Sequence, residues 1–583
     1  MDIQRTILLI IFGMSLVFLW DNWQKHQGRP SMLSPPVVEQ KAAAKADVPP
    51  AAPAATGDVP AAAAPAPAVP AAADAKAAPV SAAPAPAALP AERITVVTDL
   101  VRAEIDPAGA LLAHVELRQQ KVAPDWTAAG LVGMITGKKH DPNANVVLLE
   151  WNKNRVYLAR TGLTGPGGVR FPNHLTAFTP LPGPRELAPG QDTLEVKFEA
   201  AAGGVKVVKT YVFKRGSYDI EVRHDIENVG TAPVTPSVYL QLVRDGNKPD
   251  GESALYYTFT GPAVYSDAQK FQKINFSDIE KKKQSHISEA KDGWIAMIQH
   301  YFVSAWVPEQ GRYREVRTAQ DGPNLYSVST VMPMDAIAPG ARSTSKATLW
   351  VGPQDQEKLA AIAPGLDLVV DYGWLTFLSK PLFWLLQFLH NLVGNWGWAI
   401  VLLTVLIKAA FYPLSAASYK SMAKMKEVTP RLMKLREQYG DDKQKLNMAM
   451  MELYKTEKIN PLGGCLPILV QIPVFIALYW VLLASVEMRN APWILWVKDL
   501  ATPDPWFILP LLMMATMWIQ YKLNPTPPDP VQAKVMAAMP FIFGVMFFMF
   551  PAGLVLYWLV NNILSIAQQW YVTQQIAKAK PVG

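Results

Sequence analysis

Apolar residues follow four different rhythms along the 583-residue chain. The first is a continuous run at 7–20, and counting from 3 to 23 gives enough length for one bilayer crossing. Asp21-Asn22-Trp23-Gln24-Lys25 follows it, without the small residues that a cleavage site needs. Segment 1–23 therefore reads as an uncleaved signal-anchor helix with its amino end inside. The second stretch, 24–92, is dominated from 41 to 90 by Ala, Pro and Val. Proline at that density blocks continuous helix, and alanine buries too little area to offset ordering entropy. It reads as a disordered tether outside the membrane.

From 93 to 352 the apolar period changes to two. Segments 94–97, 146–149, 156–158, 194–198, 205–213, 218–226 and 237–243 alternate or run apolar between Gly, Pro, Asn and Asp. Further strand candidates are 294–306, 325–331 and 345–351. Short strands with no helical pattern between them predict one large antiparallel sandwich. Residues 372–393 are apolar and aromatic but interrupted by Lys380-Pro381, which suits an interfacial amphipathic helix rather than a span.

The fourth rhythm is a set of long apolar runs: 396–414, 462–485, 506–521, 535–550 and 553–571. With the anchor they make six expected spans. A loop at 486–505 then lies outside, while 415–460, 522–534 and the tail 572–583 lie inside. Between Pro413 and Gly464 there are ten Lys/Arg against six Asp/Glu, the bias expected of an inside loop. Within it Met422, Met425, Leu432, Leu435 and Tyr439 recur at helical spacing, Gly440-Asp441 makes a turn, and Leu446, Met450 and Leu453 resume. An antiparallel helical hairpin is predicted.

Composition narrows the chemistry. Only 18% of residues are charged and half are hydrophobic, yet mean hydropathy is +0.10, so the apolar content is concentrated in the runs. One cysteine, Cys465, excludes an intrachain disulfide framework. The net charge of +7 sits mostly where membrane topology places it, which argues against specific nucleic-acid binding. The glycines at 130–137 lack phosphate-loop spacing, no Gly-x-Ser-x-Gly elbow occurs, and the eight histidines are scattered. No cofactor, metal or catalytic residue is expected, and the chain does not read as an enzyme.

Lys408 stands out. It is the only charged residue from Asn395 to Tyr419, and an ammonium deep in a bilayer costs ~2.5–3.5 kcal/mol. It faces water, a partner or a client, or else its stem reaches the interface. Thr404 lies one turn earlier on the same face. The other spans supply only neutral groups for it, among them Gln471, Asn561, Asn562, Ser565 and Gln568. Fourteen of the twenty-one methionines follow Pro413, as suits surfaces that accept many apolar shapes.

The segments Gly394-Asn395-Trp396-Gly397, Tyr412-Pro413-Leu414, Asn460-Pro461-Leu462-Gly463-Gly464-Cys465, Gln471-Ile472-Pro473, Pro551-Ala552-Gly553 and Asn561-Asn562 resemble, in order and spacing, the YidC/Oxa/Alb family of membrane protein insertases. The anchor, tether and large β domain resemble its Gram-negative form in architecture. The resemblance implies a bacterial inner-membrane protein with both termini cytoplasmic. It implies five core spans around a hydrophilic groove and a periplasmic β-supersandwich similar to sugar-mutarotase folds. It also implies an insertase and folding chaperone acting on nascent integral membrane proteins among membrane lipids, with ribosome–nascent chain complexes and the Sec translocon, including SecD/SecF, as partners. The family's groove arginine falls on Lys408, its client-contacting threonine on Thr404 and its last-span aromatic on Trp558. Gln471, Ile472, Phe475 and Asn562 complete the expected groove, and Met422, Met425 and Met450 the cytoplasmic capture surface. Two other readings stand beside this: a small-solute transporter or channel using the Lys408 cavity, and a membrane-tethered periplasmic sugar-active enzyme.

Overall fold

The computed structural model describes residues 92–122, 141, 143–166, 169–249, 258–440, 442–457, 466–524 and 530–578. The expected anchor, nearly all of the tether, Cys465 and residues 525–529 of the 522–534 loop lie outside them. The described residues divide into two compact units, 92–370 and 371–578.

The first unit consists of two nine-stranded antiparallel sheets. One runs β1 (Ile94–Val97), β2 (Val101–Asp106), β3 (Leu111–Lys121), β4 (Asn145–Trp151), β5 (Val156–Thr164), β10 (Ser237–Asp245), β17 (Leu325–Pro333), β16 (Arg314–Gly322), β13 (Glu289–Ala290). The other runs β12 (Lys270–Lys273), β11 (Gly261–Ser266), β14 (Trp294–Gln299), β15 (Phe302–Pro308), β18 (Arg342–Pro353), β9 (Asp219–Asn228), β8 (Val205–Lys214), β7 (Thr193–Ala202), β6 (Thr179–Pro180). Two short helices, α1 (Phe276–Glu280) and α2 (Gln356–Ile362), accompany them.

Alternation fixes which residues face between the sheets. In β9, Ile220, Val222, His224 and Ile226 are buried while their neighbours are half-buried. Tyr157 of β5 crosses the gap to donate to the Met297 carbonyl of β14 at 3.0 Å, and Trp306 of β15 donates to the Gln241 carbonyl at 3.2 Å. These bonds mark the inner face of the first sheet. The expected run at 294–306 is two strands, because Tyr301 takes φ 67° in a tight turn between β14 and β15.

The second unit is helical: α3 (Thr376–Val393), α4 (Trp396–Ala410), α5 (Tyr412–Tyr439), α6 (Lys443–Thr456), α7 (Leu466–Ala484), α8 (Ile508–Leu523), α9 (Pro530–Phe547) and α10 (Ala552–Lys578). Helix α3 continues through Pro381, where the sequence suggested an interruption. It buries Phe383, Leu386 and Leu389 and exposes Trp374 just before it, then Phe377, Trp384, Phe388 and Leu392. The first expected core span ends early: α4 stops at Ala410, and α5 leaves at 66° across Phe411, with Pro413 in its first turn.

Among the described residues no single helix is long and apolar enough to cross a membrane, and the bent pair α4–α5 passes that test together. The count of six spans is thus not confirmed. Two causes are visible in the sequence. Helices α4 and α8 are only 15 and 16 residues long, and α10 carries Asn561, Asn562, Ser565, Gln568 and Gln569 through its middle.

The family-like motifs have local physical roles. Gly394 closes α3 at φ 66°, its amide donating to the His390 carbonyl. Asn395 caps α4 by accepting from the Trp398 amide at 3.1 Å and donates its side-chain N–H to the Pro492 carbonyl. Gly397 leaves room for Trp493, since a Cβ there would lie 2.2 Å from its ring. The Gly553 amide donates to the Leu500 carbonyl at 2.9 Å and the Ala552 amide to that of Thr502 at 2.7 Å. The loop between α7 and α8 is thereby docked on the starts of α4 and α10.

Candidate functional site

Helix α10 presents two adjacent polar rows to its neighbours. Along the first, Asn561, Ser565 and Gln568 face α4 and α7. Lys408 donates to Ser565 Oγ at 2.7 Å, and Ser565 in turn donates to the Asn561 carbonyl at 2.7 Å. Gln568 Nε2 donates to the Lys408 carbonyl at 3.4 Å, and Gln471 Nε2 to Asn561 Oδ1 at 3.5 Å. Along the second, Asn562 donates to Thr516 at 3.0 Å, Gln520 to Gln569 at 3.2 Å, and Gln569 to Asn524 at 3.2 Å, all towards α8.

Lys408 is 5% exposed. Among the described residues it forms no ion pair, so one neutral hydroxyl is its hydrogen-bond partner. Four further polar atoms here are buried and unpaired: Gln520 Oε1, Gln568 Oε1, Tyr557 Oη and Trp558 Nε1. A dry apolar site would not tolerate that many unsatisfied groups. The arrangement can hold water or accept hydrogen bonds from a transient polar chain.

An aromatic wall adjoins the polar rows. Trp558 stacks on Phe475 with centroids 5.5 Å apart and also touches Phe547 and Phe550. Ile472, one residue after Gln471, is 42% exposed.

The expected groove residues therefore separate into groups. Lys408 and Gln471 are joined through Ser565 and Asn561, Phe475 pairs with Trp558, and Asn562 belongs to the neighbouring α8 row. Thr404 is 1% exposed and its hydroxyl donates to the Ile400 carbonyl within its own helix. It offers no free hydroxyl proton to a client in this conformation. Ser565 was visible among the polar residues of the last span, but nothing local to it marks it as the partner of a lysine 157 positions earlier. Thr516, Gln520 and Gln569 are likewise among the polar residues of the expected spans, but the sequence does not mark their pairing or the part of Asn524, although residues 562 and 569 stand seven apart on one helical face.

The hairpin methionines occupy two settings. Met425 and Met450 pack with Leu453 and Tyr454 around the buried pair Val428 and Leu432, in the seam between α5 and α6. Met422 is half-buried and takes a weak bond from Ser418. The apolar periodicity found the hairpin's own core. The methionines open to the surroundings are Met433, Met448 and Met451, at 42%, 65% and 72% exposed.

Comparison with known proteins covers both units. Residues 93–385 match the family described as the YidC periplasmic domain, and residues 388–579 the family described as the 60Kd inner membrane protein. A protein of Bordetella parapertussis named membrane protein insertase YidC is 55% identical over 581 residues, covering 99% of both chains. Its namesake in Bordetella petrii is 56% identical over 582 residues with the same coverage. Among solved structures, an active YidC insertase with its first transmembrane domain resolved aligns over 82% of this chain and 92% of its own. It does so at 18% identity with a TM-score of 0.38.

Proposed function

Since this chain belongs to the YidC family of membrane protein insertases, inner-membrane proteins with a periplasmic domain, we propose that it integrates nascent membrane proteins through the polar rows of α10 around Lys408. The observation that carries this reading is the buried ammonium held by one hydroxyl, beside unpaired acceptors, in a helical unit otherwise dominated by apolar side chains.

In this reading α4, α7, α8, α9 and α10 cross the inner membrane, with the anchor at 1–23 as a sixth span. The α5–α6 hairpin and both termini are cytoplasmic, and the β unit is periplasmic. Exposed Met433, Met448 and Met451 receive an apolar nascent segment. Its polar flank enters beside Lys408, which attracts a carboxylate or carbonyl of the client. The client helix then leaves past Ile472 and the aromatic wall into lipid. Burial of some twenty apolar residues in hydrocarbon supplies the driving force, so no nucleotide is consumed. The polar rows shorten the apolar path that the flank must cross. Ribosome–nascent chain complexes deliver the client, and insertion proceeds alone or with the Sec translocon, including SecD/SecF.

Site-specific photo-crosslinking tests this. A probe at Ile472 or Trp558 should form adducts with a ribosome-stalled single-span client at intermediate chain lengths, fading as the chain grows. Absence of adducts at every length, with normal expression and folding, would sink the groove reading and leave Lys408 as a lysine reaching the interface.

A further inference from the structure

The outer face of the first sheet in the β unit, the face turned away from the second sheet, carries an arrangement that insertion does not use. Strand register places Arg160 of β5 opposite Gln241 of β10, Gln241 opposite Ser329 of β17, and Ser329 opposite Arg317 of β16. Inward-pointing Tyr157 and Thr161 flank Arg160 in β5, so these four side chains share the outer face. The face is nonetheless covered. Arg160 is 5% exposed, Gln241 2% and Ser329 4%.

One wall is the turn at 171–176, which lies flat on the strands because Gly162 has no side chain. A Cβ there would stand 2.7 Å from Asn173 Cα and 2.9 Å from the Tyr239 hydroxyl. Tyr239 secures the turn. Its hydroxyl accepts from the His174 amide at 3.0 Å and lies 2.6 Å from His174 Nδ1. On the other side Ser327 donates to Asp321 at 3.0 Å, and Arg317 is paired with Glu315.

Arg160 is different from every other buried cation in this unit. Arg314 donates to the carbonyls of Gly293, Lys291 and Glu309, and Arg244 to Gln299. Arg160 donates to nothing among the described residues, and its Nε and Nη1 are buried without a partner. Beside it, Gln241 Oε1 is also buried without one. The Asp321 carboxylate and Tyr239 act on the guanidinium through space and favour its charge. An unpaired guanidinium and an unpaired amide oxygen at one register position ask for opposite things: a carboxylate to accept, and a hydroxyl to donate.

We infer that this covered face is a binding site for a small hydroxycarboxylate, its carboxylate on the Arg160 guanidinium and a neighbouring hydroxyl donating to Gln241 Oε1. The free hydroxy acid and the sugar acid share that chemistry, and the probes separate them.

The test uses the full chain in lipid nanodiscs, with binding of L-malate, D-galacturonate and neutral D-galactose followed by saturation-transfer NMR and calorimetry. Saturable binding of one acid is expected, with galactose at least about tenfold weaker, because it lacks the charge that the guanidinium recognises. Preference for malate assigns the small hydroxy acid, and preference for galacturonate the sugar acid. Arg160→Gln should weaken acid binding about tenfold or more, and Gln241→Leu should weaken it while leaving the charge in place. Amide exchange in β5 and β10 checks that each variant keeps its fold, and either variant suffices for the comparison. Failure of both acids to saturate, equal binding of galactose, or unchanged affinity in a folded variant would each overturn the inference.

Discussion

The β unit should lose stability in mild acid through one histidine, and the amount follows from its surroundings. His224 of β9 stands opposite Lys209 of β8 and shares the space between the sheets with Thr161. The Thr161 hydroxyl donates to the Tyr239 carbonyl at 2.8 Å, so its 3.2 Å contact with His224 Nε2 requires the imidazole to donate. Burial, reinforced by the Lys209 charge, pushes the imidazole down to about 3 from 6.5. The unfolded chain therefore binds a proton between those values that the folded chain refuses, and stability falls as pH drops through 6.5. The slope approaches about 1.4 kcal/mol per pH unit, which gives about 2 kcal/mol between pH 7 and pH 5. His224→Gln keeps a donor for Thr161 but does not titrate. Amide exchange of the full chain in nanodiscs, read in β8 and β9 and corrected for intrinsic rates, should show that pH-dependent loss in the wild type and not in the variant. Lys209 extends the trend upward: burial lowers its ammonium to about 7, so stability goes on rising as pH increases from there towards 10.5. Parallel wild-type and variant curves between pH 7 and 5, within about 0.5 kcal/mol, would refute the reasoning.

Three other outcomes are expected. Lys408→Met should cut insertion of a client with an acidic translocated flank by about tenfold in proteoliposomes, while Lys408→Arg stays within about twofold, since charge rather than shape attracts the flank. Wild-type rates in Lys408→Met would remove the cation from the mechanism. Gly397→Ala forces a Cβ against the Trp493 ring at 2.2–2.6 Å and should cost about 1–3 kcal/mol, seen as a lower melting midpoint of the helical unit. A nitroxide at Phe388, after Cys465→Ser, should be quenched by oxygen from lipid. One at Leu386, which is fully buried, should not. Equal quenching at the two sites would remove α3 from the interface.

The parts of the structure that were legible in the sequence are those where one face of an element is buried. Strands β1, β7, β8, β9 and β10 follow their apolar alternation to within four residues at either end. That same alternation puts Lys209 in line with Val205, Val207, Tyr211 and Phe213, and His224 in line with Ile220 and Val222, so both inward positions are legible in the sequence. Strand β5 is buried on both faces after its first residue, which erases the period and hides the exceptional position of Arg160. Strand β2 does alternate, Val101, Ala103 and Ile105 inward, but its three apolar residues are too few to stand out among charges. In the helical unit the unusual residue, Lys408, was evident from composition alone. Its partner was not, because hydrogen bonds between helices are set by tertiary packing and leave no local spacing rule.

Partner count sets three buried cations apart. Lys209 is fully buried and donates to the carbonyls of Gly109, Thr161 and Ala110, at 2.7, 2.9 and 3.4 Å. Three acceptors satisfy an ammonium completely, and together they tie β8 to the 109–110 turn and to β5. Nothing remains for a ligand to add, so Lys209 is a cross-sheet fastening. Among the described residues Lys408 has one acceptor for its three protons, and Arg160 has none for the three protons of its buried Nε and Nη1. Leaving such groups short of partners costs free energy in the folded chain, about 1–3 kcal/mol or more for each buried unmet group. A sequence that only had to fold would place methionine or leucine at either position and gain stability. The deficit is useful only to something that arrives later and makes the missing bonds. On the proposed reading the visitor at Lys408 must also leave, which fits a single hydroxyl that holds the ammonium in place without competing strongly for it. At Arg160, where two unmet groups of opposite hydrogen-bonding sense sit side by side, the visitor can stay.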